Sequence, residues 1–142
     1  MIFQRINRED AEKVFIIVYN VAGATMTANY PVVWDISTAD GVRVSKPASA
    51  TLSLLVGLAN KDIADSAYGL VQAYGYRASC FVTNDTSVAI AAGDILIPVT
   101  AVWHTARSGA SDGKSGFLYA AEAFATAATP AAANKKCFIR GL

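Results

Sequence analysis

Charge is what this sequence has least of. Asp, Glu, Lys and Arg make up 16% of its 142 residues, 12 basic against 11 acidic, for a net charge of +1. Globular chains carry about 25%, so much of the surface must be neutral, built from Ala, Ser, Thr and Gly, a composition suited to permanent packing against neighbours. The basic residues are scattered, whereas a phosphate-reading surface needs Lys and Arg on one face, so no nucleic-acid partner is expected. Cysteine is nearly absent too: Cys80 and Cys137 lie far apart, match no metal-ligand spacing, and cannot complete a zinc shell with a single histidine. Two buried free thiols are expected, with a disulfide between them as the alternative. No metal or other cofactor is implied.

Long apolar runs are also missing. The uncharged span from Val14 to Trp34 has its apolar core confined to Val14–Tyr19, followed at once by Asn20, Gly23, Thr25, Asn29 and Pro31. A bilayer demands roughly 20 apolar residues, so no membrane partner is expected. Arg5, Arg8, Glu9, Asp10 and Glu12 precede any long apolar run. That is not the layout of a secretory signal, and the chain reads as a protein used without export.

What is present is a 54% hydrophobic chain long enough to bury a core without staples. Val14-Phe-Ile-Ile-Val-Tyr19 is β-branched and aromatic throughout and predicts a strand. Pro31–Ile36 predicts a second, and Val42-Arg-Val-Ser-Lys46, alternating with period two after Asp40-Gly41, a third that could form a hairpin with it. Leu52–Gly57 is a short apolar run. Gly69–Val82 predicts a long strand with a bulge or bend at Gly75. Ile95–Val99 continues the pattern, followed by Ala101–Trp103, and His104–Gly116 reads as an exposed loop. Phe117–Ala128 is compatible with strand or helix, and Cys137–Arg140 closes the chain after an Asn134-Lys-Lys turn. The expectation is an all-β fold, a small β-barrel or β-sandwich of short strands, in one domain over residues 14–142 with an N-terminal arm over 1–13.

One recurrence cuts across these elements. Met26, Ile63 and Ile90 each stand before a short bend of small or polar residues and then an apolar strand. Each side chain is expected to plug the core where the chain turns a corner.

No constellation points to catalysis. His104 is the only base near neutral pH, and Ser108, Ser111 and Asp112 beside it belong to a Gly/Ser loop that offers no rigid support. Asp35 with Asp40, and Asp62 with Asp65, sit in turn-like contexts that favour Asp for its own local hydrogen bonds. Gly113-Lys114-Ser115 ends like a phosphate loop, but the first glycine of that motif is replaced by Ser108. Trp34, Trp103, Tyr68, Tyr74 and Tyr76 fit packing or an interface better than a sugar-binding face.

From about Lys46 to Leu142 the order of features resembles the capsid decoration, or cement, proteins of tailed bacteriophages. The residues that carry it are Leu55-Val-Gly-Leu-Ala59, Gly69-Leu-Val-Gln-Ala-Tyr-Gly75, Ala91-Ala-Gly-Asp94-Ile-Leu-Ile-Pro98 and Phe138-Ile-Arg-Gly-Leu142. The resemblance implies a non-enzymatic virion protein on the capsid exterior, assembled in the host cytoplasm, that locks the lattice of the major capsid protein and self-associates as a dimer or trimer. A virion-surface module that binds a host glycan or receptor is the alternative, with a small β-barrel enzyme behind it. The arm is the candidate partner-binding element. Ile2, Phe3 and Ile6 are apolar while Arg5 and Arg8 are charged, so the stretch needs a partner and could add a strand to a sheet edge. A frayed end, or a short helix over Arg8–Lys13, is the competing reading.

Overall fold

β-Branched residues favour a pleated, half-buried surface, and in the computed structural model, which describes residues 12–38, 40–84, 86–108 and 117–141, they occur in eight of the nine strands. In chain order these are β1 (Lys13–Asn20), β2 (Pro31–Trp34), β3 (Arg43–Ser45), β4 (Leu55–Ala59), β5 (Tyr68–Thr83), β6 (Ile95–Pro98), β7 (Thr105–Arg107), β8 (Leu118–Ala120) and β9 (Ala132–Arg140). A 3₁₀ turn over Leu52–Leu54 precedes β4, and the described residues contain no α-helix.

The topology turns on β5. Over Tyr68–Gly75 it pairs with β1, over Tyr74–Thr83 with β9, and it also meets β4 at Val71 and Gln72 and β7 at Val82. Two closed circuits result. One runs β1-β3-β2-β4-β5 and back to β1, the other β5-β7-β6-β8-β9 and back to β5. Closure of a sheet on itself makes a barrel, so the chain forms two small barrels that share one 16-residue strand.

Each barrel has its own core. Val18, Val32, Val44, Val56 and Val71 fill the first, and Cys80, Val82, Leu96, Leu118, Cys137 and Ile139 the second. Strand β4 stands between them, giving Val56 and Ala59 to the first core and Leu55 and Leu58 to the second. That two-sided burial explains why Leu-Val-Gly-Leu-Ala is a continuous apolar run and not an alternating one. Gly57 is required there, because a Cβ would collide with the Gln72 carbonyl of β5.

The corner residues act as expected. Met26, Ile63 and Ile90 are all buried. Met26 and Ile63 exchange backbone hydrogen bonds of 2.9 and 2.8 Å across the first barrel, and Ile90 and Phe124 exchange two of 2.9 Å in the second.

Several expectations need correction. Lys13, expected at the end of an arm or of a short helix, is the first residue of β1, and residues 1–11 lie outside the described residues. Gly75 is not a bulge. The register shift falls at Ala73, two residues earlier, and Gly75, at φ 102°, is where β5 passes from β1 to β9 and where a Cβ would strike the Glu12 carbonyl. Ala101–Trp103 is a turn, and Thr105–Arg107, expected in a loop, forms β7 because Thr105 is buried and its hydroxyl donates to the Phe81 carbonyl at 3.3 Å. In Phe117–Ala128 only Leu118–Ala120 is strand, and no helix forms. Asn134-Lys135-Lys136 is not a turn but the middle of β9, with Lys136 exposed and Lys135 half-buried, its ammonium 4.5 Å from the Phe124 ring centroid.

Candidate docking surface

Alternation along β1 buries Val18 and Asn20 and leaves Phe15, Ile17 and Tyr19 on the outside. The partner strand does the same with Tyr68 and Leu70. Ile17 stands directly opposite Leu70, and Tyr19 opposite Tyr68, the two rings 4.9 Å apart. Ile17 is 66% exposed and Tyr68 68%. Closed sheets normally turn polar residues outward, yet these five adjoining side chains carry no charge. Single exposed apolar residues are unremarkable, whereas a contiguous patch of a few hundred Å² marks an interaction site. On β5 and β9, Tyr74 and Phe138 form an edge-to-face pair at 5.6 Å, with Phe138 partly exposed.

A second surface is built on Trp34, at the end of β2. A groove of about 460 Å³ is lined by Trp34, Asp35, Ile36, Ser37, Ser45 and Lys46 among others. Trp103 is elsewhere, stacked on Tyr30 at 5.4 Å, with the Lys46 ammonium 5.7 Å from its ring centroid. Tyr30 also meets Phe81, and Phe81 meets His104. Trp34 and Ile17 line one groove, so the Trp34 surface adjoins the β1–β5 patch, while Trp103 is packed on Tyr30.

His104 packs against the Phe81 ring at 6.4 Å, and partial burial holds its imidazole below the usual value. Ser111 and Asp112, its proposed neighbours, lie outside the described residues, and no cluster of three potential metal ligands occurs among the described ones. The carboxylates do turn chemistry. Asp35 accepts from the amide and hydroxyl of Ser37, and Asp40 from the amides of Val42 and Arg43. Asp62 and Asp65 go further than local bonds, accepting from Ala28 and Gly23 on the opposite corner.

Sequence reasoning missed Arg77. Its guanidinium is buried at the seam between the barrels, where it donates to Asn29 Oδ1, Gln72 Oε1, Asn60 Oδ1 and the carbonyls of Ala59 and Ser79. Among the described residues no carboxylate contacts it. Desolvation by burial lowers its pKa. The only sequence signal was an Arg inside a strand whose neighbours were otherwise apolar or small. Cys80 and Cys137 are both buried and free. The Cys137 thiol is pushed up by its hydrogen bond with Cys80 and by burial. The proposed arm residues Ile2, Phe3, Arg5, Ile6 and Arg8 lie outside the described residues.

Fold and surface together define an all-β protein of two fused small barrels with an apolar outer patch. Its architecture is similar to the crystal structure of the head fiber gp8.5 N base of bacteriophage phi29, with a TM-score of 0.52 and 16% identity over 90% of this chain and 94% of that one. No protein-family model and no curated protein sequence matches the chain.

Proposed function

We propose that this protein is a structural component of a phage virion that binds the outside of the capsid and stabilises the lattice of the major capsid protein, without enzymatic activity. The observation that carries the reading is the fold likeness to a head-fiber base across nine-tenths of the chain. The uncharged patch of Phe15, Ile17, Tyr68 and Leu70 supports it, since a lattice-binding protein works by burying neutral surface on assembly. The low overall charge and the resemblance to decoration proteins agree. Self-association and an N-terminal arm that orders on a partner belong to the same reading.

Sedimentation with heads of the phage whose genome encodes the chain is the test. The protein is expected to pellet with heads at a fixed ratio to the major capsid protein, and Leu70→Asp with Tyr68→Ser to remain folded and stay in the supernatant. A wild-type protein that never co-sediments with expanded heads overturns the proposal.

A second reading, binding of a host glycan, is favoured by the Trp34 groove, where an indole adjoins a carboxylate, an ammonium and two serine hydroxyls. Stacking of a sugar on Trp34 would quench its fluorescence, and Trp34→Ala would remove that response without touching capsid binding.

A further inference from the structure

Strand β1 has two neighbours of unequal extent. Along one edge it pairs with β5 from Lys13 to Tyr19, and along the other it meets β3 only at Tyr19 and Asn20. Backbone groups alternate sides along a strand, and the Tyr19 amide donates to the Val42 carbonyl on the β3 side at 2.8 Å. The N–H and C=O of Ile17 and Phe15 therefore face that same side. Among the described residues nothing pairs with them there. Beside this edge lies a groove of about 260 Å³ lined by Ile16, Ile17, Trp34, Gly41, Val56 and Ala73 among others.

An open edge of this kind is a template for another strand. Natural proteins blunt such edges with a charge, a proline or a bulge. Val14-Phe-Ile-Ile-Val18 carries neither charge nor proline, and the bulge in this ladder lies on β5. A run so rich in β-branched residues, left uncovered, would aggregate.

We propose that residues 2–6 of a second copy of the chain add a strand to this edge, so that each copy gives an arm and receives one. Outside the described residues, positions 109–116 read GASDGKSG and position 142 is a single leucine, neither suited to a strand. Ile2-Phe-Gln-Arg-Ile6 is suited: in extended form Ile2, Gln4 and Ile6 share one face, and Phe3 and Arg5 the other. Its five residues span roughly 16 Å, as do the five of Val14–Val18. The donor is a second copy because the open edge belongs to the same strand as Phe15 and Ile17 of the uncharged outer patch, and a second copy docked there covers edge and patch together. The inference deepens the arm and self-association part of the proposed function and does not depend on capsid binding.

The test uses the purified chain without capsids. Light scattering is expected to give an oligomer, and hydrogen exchange at the Phe15 and Ile17 amides to be at least tenfold slower than in a variant lacking residues 2–6. Ile17→Pro removes a donor that faces only the open edge, so the β5 ladder survives and the variant is expected to be a folded monomer. Mixing Ile17→Pro, which keeps its arm, with the variant lacking residues 2–6, which keeps its edge, should give a one-to-one complex. An intact chain that is monomeric overturns the proposal, including one in which Phe15 and Ile17 are protected by their own arm. So does a variant lacking residues 2–6 that oligomerises like the intact chain. Failure to bind heads by a chain that passes these tests would count against the capsid reading alone.

Discussion

The Arg77 guanidinium holds Asn29, through bonds of 2.7 and 3.2 Å to its Oδ1, where the backbone of Asn29 sits in the left-handed region at φ 73°. The contact joins β5 to the loop before β2, at the seam between the barrels. Among the described residues every acceptor around the guanidinium is neutral, so the cation is solvated there by amide and carbonyl oxygens and not by a salt bridge. Arg77→Ala would strand the side-chain oxygens of Asn29 and Gln72, each costing about 1–3 kcal/mol when unsatisfied, while the Ala59 carbonyl keeps the Asn29 amide. The variant should lose about 2–5 kcal/mol. Urea unfolding measures it, and a loss under about 1 kcal/mol would mean that water replaces the guanidinium.

The corner plugs make a second expectation. Ile63→Ala empties a buried position behind the Met26 bridge, and Ile90→Ala does so in the other barrel. Each should cost about 2–5 kcal/mol. A polar-corner explanation predicts near-neutral substitutions instead, and thermal melts separate the two.

Glycine at 75 is set by two constraints at once, its positive φ and the Glu12 carbonyl. Gly75→Ala should open the start of the β1–β5 ladder and speed exchange of the amides in that ladder. Gly93→Ala is the control: it shares the positive φ but has open space around the added methyl, so it should cost only the strain of that conformation. Equal exchange profiles would rule out the collision.

The cysteines should be silent toward alkylation in the native protein. Both are buried, and the Cys137 thiolate is disfavoured by its bond with Cys80 and by desolvation. Iodoacetamide at pH 8 is expected to label neither thiol until denaturant is added, then both. Rapid native labelling would place the seam in solvent contact.

Stability should fall on mild acidification because of His104. Burial lowers its folded pKa below the ordinary 6.5, so between the two values the unfolded chain binds more protons. The stabilisation is complete above about pH 6.5 and is lost as pH falls through the folded value. Asp94, held low by the Ala91 amide and Arg107, acts only in the acid range below the usual carboxylate value. His104→Gln should therefore flatten the melting temperature between pH 7 and 5 without changing its fall below pH 4.

Local pattern was enough for much of this molecule. Val14–Tyr19 was legible as a strand because β-branched and aromatic side chains have few other conformations to prefer, and Val42–Lys46 because its alternation matches a one-sided burial that Val44 realises. Met26, Ile63 and Ile90 announced themselves by position, since an apolar residue ahead of a polar bend has only the core to go to. The neutral patch was foreshadowed by the low charge, although not its place. What tertiary structure decided was every outcome that depends on a distant partner. Thr105–Arg107 is polar and beside a Gly/Ser segment, and becomes strand only because β6 and Val82 supply its hydrogen bonds. Asn134-Lys-Lys reads as a turn until β5 pairs with it along the whole of β9. Arg77 could be assigned to the surface until Asn29, Asn60 and Gln72, from three separate segments, converged to solvate it. Above all, nothing local told that one strand would serve two barrels: that follows from the register on both edges of β5, and register is a property of pairs of strands.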